Sequence, residues 1–243
     1  MNSQIVNNLY EFWKLIGKLK NKLSETESYS AVSMDGSDWP NRTFDLKNNT
    51  DSIDEILKLS QEEKLPGIIT ITKPNDLSSN ANLELMFRQL NMSLDLKSFT
   101  NERYDNPNIK RVEKEEDSND FAKTASDAFG YRVDSNVIFN IANNSEAIRL
   151  FIYKEKSECL GCGIIFIDSK NNAGLHMIGT TPKGRGKGIG KSMTEKLLIE
   201  AKENNANHCV LHASFMGEPI YRKLGFSPFE EIETYKILKK RNN

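Results

Sequence analysis

The sequence predicts an α/β fold, a sheet with helices packed against it, on three observations. Short apolar runs bounded by polar turns alternate with segments whose apolar residues recur at helical spacing. The runs Ala147–Tyr153 and Leu160–Ile167 are separated only by the charged turn Lys154–Glu158, as in a hairpin. A third run, Ala173–Thr180, feeds a glycine-rich loop that opens an amphipathic helix.

From the amino terminus, Leu9, Phe12, Trp13, Ile16, Leu19 and Leu23 make one apolar helical face. Ser30–Met34 and Arg42–Leu46 read as strands, and Ser52-x-x-Glu55 reads as a capping box ahead of Ile53, Ile56 and Leu57. Pro66–Thr72 reads as a buried strand and Asn80–Leu90 as a helix. Asn101–Asn108, polar and containing Pro107, reads as a linker, which divides the chain into residues 1–108 and 109–243. Beyond it come a short strand at Lys110–Glu113, helices at Asn119–Phe129 and Ser135–Ala142, and the three runs above, with Asp168–Asn172 as a second turn. Ile189, Met193, Leu197, Leu198 and Ala201 place a helix of about four turns after the loop, followed by a strand at His208–Ala213.

The loop Thr180–Gly190 is suited to a phosphate. Glycines at 184, 186, 188 and 190 let backbone N–H groups turn inward, the following helix presents the positive end of its dipole, and Arg185 and Lys187 add charge. The nucleotide P-loop pattern fails by one residue, because its first glycine falls on Arg185. Gly-x-Gly-x-x-Gly fails as well, ending on Ile189 or Lys191. Arg185-Gly-Lys-Gly188-Ile-Gly190 instead matches Arg/Gln-x-x-Gly-x-Gly/Ala, the pyrophosphate-binding signature of the GNAT superfamily of N-acetyltransferases, and Tyr221-Arg-Lys-Leu-Gly225-Phe226 matches its second hallmark, Tyr-x-Lys-x-Gly-Phe. The chain therefore resembles a GNAT N-acetyltransferase from about Ile109 to Lys239. That resemblance implies a mixed, mostly antiparallel sheet flanked by helices in the order β-α-α-β-β-β-α-β-α-β. Residues 1–108 resemble a degenerate half of the same fold, without the loop and so without a second coenzyme.

The resemblance also implies acetyl-CoA as cosubstrate and an amine of a small molecule or peptide as acceptor, attacked directly in a ternary complex. Carried onto this sequence, Arg185, Gly186, Lys187, Gly188, Ile189 and Gly190 hold pyrophosphate, and Ile178, Gly179 and Thr180 lie along the pantetheine arm. Ser214 stands where many relatives carry an asparagine touching that arm. Gly179 within a strand marks a bulge or a close backbone approach. Tyr221, at the motif position, is the candidate general acid, since a phenol stays protonated at neutral pH. His176 or His212 is the candidate base, because an imidazole titrates in the useful range; strand parity puts His212 with His208 and Val210, opposite Cys209, Leu211 and Ala213. Phe129, Tyr131 and Phe139, within Ala128–Asn144, are candidates to line an acceptor pocket. The alternative function is a coenzyme A sensor that keeps the loop without turnover.

Bulk properties exclude other classes. Lys+Arg 33 against Asp+Glu 34 leaves a net charge of -1, so no global field attracts nucleic acid or an anionic membrane. No apolar run is long enough to span a bilayer and Met1–Leu9 lacks a signal-peptide pattern, so a cytoplasmic monomer or homodimer is expected. Cys159 and Cys162 form a C-x-x-C with no second pair; three apart on a strand, they are expected on opposite faces. His, Asp and Glu show no metal-ligand spacing, and no metal is expected.

Overall fold

A computed structural model describes residues 1–47, 50–72, 77, 80–100 and 106–239. Its elements are α1 (Asn2–Leu19), β1 (Leu23–Glu25), β2 (Ser30–Val32), β3 (Arg42–Phe44), α2 (Thr50–Gln61), β4 (Ile68–Ile71), β5 (Leu83–Asp95), β6 (Ile109–Arg111), α3 (Glu115–Phe129), α4 (Ser135–Asn143), β7 (Ile148–Glu155), β8 (Glu158–Ile167), β9 (Ala173–Thr180), α5 (Ile189–Glu203), β10 (His208–Ala213), α6 (Glu218–Lys223) and β11 (Ser227–Ile237). The strands form one mixed sheet in the order β1-β2-β3-β4-β11-β5-β10-β9-β8-β7-β6, antiparallel except for β3 with β4 and β9 with β10. From β6 onward the elements follow the expected order.

Alternation along the strands sorts side chains onto two faces. Phe12, Trp13 and Ile16 of α1, Phe121 and Ala125 of α3 and Ile138 and Ile141 of α4 pack with Ile164 and Phe166. On the other face Met193, Leu197 and Leu198 of α5 and Tyr221 of α6 pack with Leu175, Cys209 and Leu211. Ile53, Ile56 and Leu57 of α2 cover Ile69, Ile71 and Tyr235.

Several expectations need correction. Residues 80–90 are not a helix. Leu83–Asp95 is the 13-residue strand β5, paired with β11 from Ser227↔Ser93 to Ile237↔Leu83 and with β10 from His208↔Asp95 to Ala213↔Leu90. Its Leu, Glu, Met, Arg and Gln are good helix formers, but neighbours on both sides outweigh that preference. The division at residue 108 does not separate two sheets, because β5 lies between two strands of the carboxy-terminal region. Ser52 lies inside α2 rather than at its cap. Of the expected linker, residues 101–105 lie outside the described residues. The two cysteines are not on opposite faces: pairing shifts where Lys154 meets Cys159 and Tyr153 meets Gly161, and both cysteines pack into the core beneath α3. A bulge reverses strand parity.

Candidate functional site

The site is organised by a split in the sheet. β9 and β10 run parallel and pair at Cys209↔Ala173, Val210↔Gly174 and Leu211↔Leu175, where the pairing ends. The continuing segments, His176–Thr180 and His212–Ala213, therefore present main-chain groups that no longer bond across the gap. On its other edge β9 also departs from regularity. Cys162 pairs with Gly179 and Ile164 with His176, so Met177 and Ile178 together oppose Gly163, and Met177 takes φ 52°. This is a β-bulge in a left-handed conformation that a side chain rarely adopts, and it re-aims the strand at the split. The bulge falls beside Gly179, not on it. Gly179 answers instead to close approach, since a Cβ there would stand 2.9 Å from Ala128 Cβ and 3.0 Å from the Phe129 ring at the end of α3.

The loop continues from the end of β9. Pro182–Gly184 form a 3-10 turn, after which Gly186 at φ 76° and Gly188 at φ 77° take left-handed backbone with open space where a Cβ would stand. Gly188 is the N-cap of α5 and offers no side-chain cap. The first helical turn closes with Ser192 N donating to Gly188 O at 3.0 Å. The N–H groups of Ile189, Gly190 and Lys191 precede it, and an uncapped helix start with adjacent open glycines is an anion cradle. Lys187 Nζ donates to Glu155 at 3.0 Å, whereas exposed Arg185 has no ion pair among the described residues. Of the two expected cations, Arg185 is thus the one available to an incoming anion.

Tyr221 lies on the α5 face. It is 9% exposed, its ring packs edge-on to Phe226 at 5.8 Å, and Gly217 is placed so that a Cβ would meet the ring at 3.0 Å. Burial pushes its phenol far above the ordinary value, with the nearby Cys209 thiol adding to the rise. Ser214 is exposed, and its Oγ accepts from Gly217 N at 3.2 Å, so the side chain is used in the turn that leads into α6.

Both histidines lie on the opposite face, under α1; for His212 this is the side away from Cys209 and Leu211, as the parity of β10 anticipated. His176 stacks on Phe12 at 4.2 Å and meets Asn8 Oδ1 at 3.1 Å. Asn8 Nδ2 donates to Asp168 Oδ2 and Asn172 O, so its oxygen is the end that faces His176, and Nε2 of His176 carries the proton. Likewise Asn91 Nδ2 donates to Asn2, and Asn91 Oδ1 accepts from His212 Nδ1 at 2.7 Å. His212 Nε2 is buried beside the main chain of Ile5 in α1, outside good hydrogen-bond geometry. Burial pulls both imidazoles down, His212 to about 4 and His176 well below its usual value, with His212 contributing to the latter. Both are neutral at pH 7. Tyr131, stacked on Phe129 at 5.7 Å, donates from its hydroxyl to Met177 Sδ at 3.6 Å, which places the α3–α4 loop against the bulge; Phe139 is exposed on α4.

Asn8 and Asn91 were not anticipated, although an asparagine within the apolar stripe of α1 is a signal of a buried polar partner. The bulge at Met177 left no sequence signal. Among the described residues no group of three or more His, Cys, Asp or Glu is placed to hold a metal, and no helix is long and apolar enough to cross a membrane.

The sequence model of the acetyltransferase (GNAT) domain matches residues 114–236. The chain is similar in structure to a GCN5-related N-acetyltransferase from Kribbella flavida, with 14% identity, TM-score 0.66 and coverage of 95% of both chains. A putative GNAT-family acetyltransferase from Novosphingobium aromaticivorans gives 12% identity and TM-score 0.65 over 95% of this chain and 97% of that one. A functionally unknown conserved protein from Staphylococcus epidermidis gives 13% identity and TM-score 0.59 over 90% and 94%. At these identities the likeness is one of fold, and it extends over the amino-terminal region as well. No curated protein matches the sequence.

Proposed function

Since the chain belongs to the GNAT acetyltransferase family, we propose that it transfers an acetyl group from acetyl-CoA to an amine by direct attack. The observation that carries this reading is the uncapped start of α5, with Gly186 and Gly188 in left-handed backbone, at the mouth of the split between β9 and β10. Backbone N–H groups of Ile189, Gly190 and Lys191, with Arg185, hold the pyrophosphate, while Lys187 first has to leave Glu155. Main-chain groups of Ile178, Gly179 and Thr180, unpaired on the β10 side, run along the pantetheine arm, and a backbone N–H near Ile178 polarises the thioester carbonyl.

Tyr221 donates a hydrogen bond to the leaving sulfur. A thiol has a pKa near 8.5, so full transfer from a phenol held far above 10 would leave an unfavourable buried phenolate. The hydroxyl therefore stabilises the thiolate and passes its proton only as it regains one. The attacking amine passes its proton to water at the split, because the neutral imidazoles of both His176 and His212 are buried under α1 and neither is placed to act as the base. His176, engaged by Asn8 and Phe12, holds the wall beside the split. The amino-terminal region supplies α1 over the acceptor side and binds no coenzyme of its own.

Calorimetric titration with coenzyme A, followed by thiol release from acetyl-CoA across an amine panel, tests the proposal. One site per chain is expected. Gly188→Glu should abolish binding by placing a carboxylate in the cradle, and Arg185→Ala should weaken it by about 1–3 kcal/mol. Equal affinity in wild type and Gly188→Glu would refute the assignment of the loop.

A further inference from the structure

Among the described residues no carboxylate neutralises the buried cation of Arg42. It lies on the α1 face of β3, is 9% exposed, and sits with its guanidinium 4.6 Å from the centre of the Trp13 ring. Nη1 donates at 3.4 Å to Thr70 Oγ1, which is 3.2 Å from Thr234 Oγ1. Nε is buried without an acceptor. Among the described residues no carboxylate forms an ion pair with it and no hydrogen bond leaves Nη2. Tyr131 is the titratable group that acts on it, and burial pushes that phenol up to about 12, so it stays neutral. Buried charges in folded proteins are paired, because desolvating an unpaired one is unfavourable.

Its position gives this charge a use. Tyr131 is the link: it packs against the apolar cluster that contains Trp13, over whose ring Arg42 lies, and its hydroxyl donates to Met177 Sδ at the bulge of β9. Arg42 is thus on the α1-covered face, with Tyr131 between it and the bulge at the split. The unused donors are Nε and Nη2, the edge of a guanidinium that matches a carboxylate with two parallel hydrogen bonds. We propose that Arg42 binds the acidic group of the acceptor, so that the substrate is an amine that also carries a carboxylate. This rests on the acetyltransferase reading and narrows it.

The test uses the full chain with acetyl-CoA and a panel of amino acids, ω-amino acids and short peptides, each beside its carboxamide. At least one acid should exceed its carboxamide in kcat/KM by roughly tenfold to 100-fold, the scale of hydrogen bonds to a charged group. Arg42→Met should erase that preference through KM, leave coenzyme A affinity unchanged, and melt no lower than wild type, since a buried unpaired charge is removed. Arg42→Lys, which keeps the charge without the fork, should retain part of the preference. Acids and carboxamides treated alike by wild type, a preference that survives in Arg42→Met, or acids neither turned over nor bound beside coenzyme A would each overturn the proposal. A lower melting temperature in Arg42→Met with the preference unchanged would make Arg42 structural. Absence of coenzyme A binding would instead overturn the acetyltransferase reading, so the two failures are distinguishable.

Discussion

Removing residues 1–108 should unfold the remainder, although the sequence divides there. Both sheet neighbours of β11, β4 and β5, belong to the removed part, as does one neighbour of β10. In the fragment Ile232, Tyr235 and Ile237 of β11, now 1%, 1% and 5% exposed, would meet water, as would Phe166, which packs on Phe12 of α1 at 5.4 Å. At about 1.5–3 kcal/mol for each buried side chain, these four account for roughly 6–12 kcal/mol. That is comparable to the whole stability of an ordinary domain, about 5–15 kcal/mol. The main-chain groups of β11 would also lose their ladder on both sides. The assay is thermal unfolding by circular dichroism and coenzyme A calorimetry on residues 109–243, alone and co-expressed with 1–108. Alone, the fragment should show no cooperative transition and no coenzyme binding, and co-expression should restore both. A monomeric fragment that melts cooperatively and binds coenzyme A like the full chain would refute the reasoning.

Tyr221→Phe should keep the fold and coenzyme affinity but lower kcat by about tenfold to 100-fold, and steady-state kinetics with a thioester of a better leaving group should narrow that gap; an unchanged kcat with chemistry limiting would leave Tyr221 as packing alone. His212 titrates at about 4 in the folded chain against 6.5 ordinarily, so between those values the unfolded chain binds more protons. Its contribution is complete above pH 6.5 and falls away towards pH 4, by about 2–3 kcal/mol between pH 7.5 and 4.5. His212→Gln, able to donate to Asn91, should lose about that much less stability on acidification in urea titrations at the two pH values; equal losses would contradict the burial of a neutral imidazole.

What could be read from residues alone was local chemistry. Glycines at 186 and 188 ahead of the apolar spacing Ile189, Met193, Leu197 identify a loop that opens a helix, because left-handed backbone and helical periodicity each leave a mark on neighbouring positions. Tyr221 ahead of Gly225 and Phe226 is recognisable for the same reason, as is the β10 parity that separates His212 from Cys209.

What the sequence alone did not determine involves partners distant along the chain. Leu83–Asp95 is a strand because β10 and β11 lie on either side of it, and its own composition favours a helix. Cys159 and Cys162 share a face because pairing slips against β7, and Met177 bulges because β8 offers one residue to two. The buried charge of Arg42 follows from Trp13, Thr70 and Tyr131 closing around it. Short-range periodicity records the conformation a segment prefers, but pairing register and burial are set by contacts that form only when remote segments meet, and those contacts decide where the sheet splits and which polar groups are left without partners.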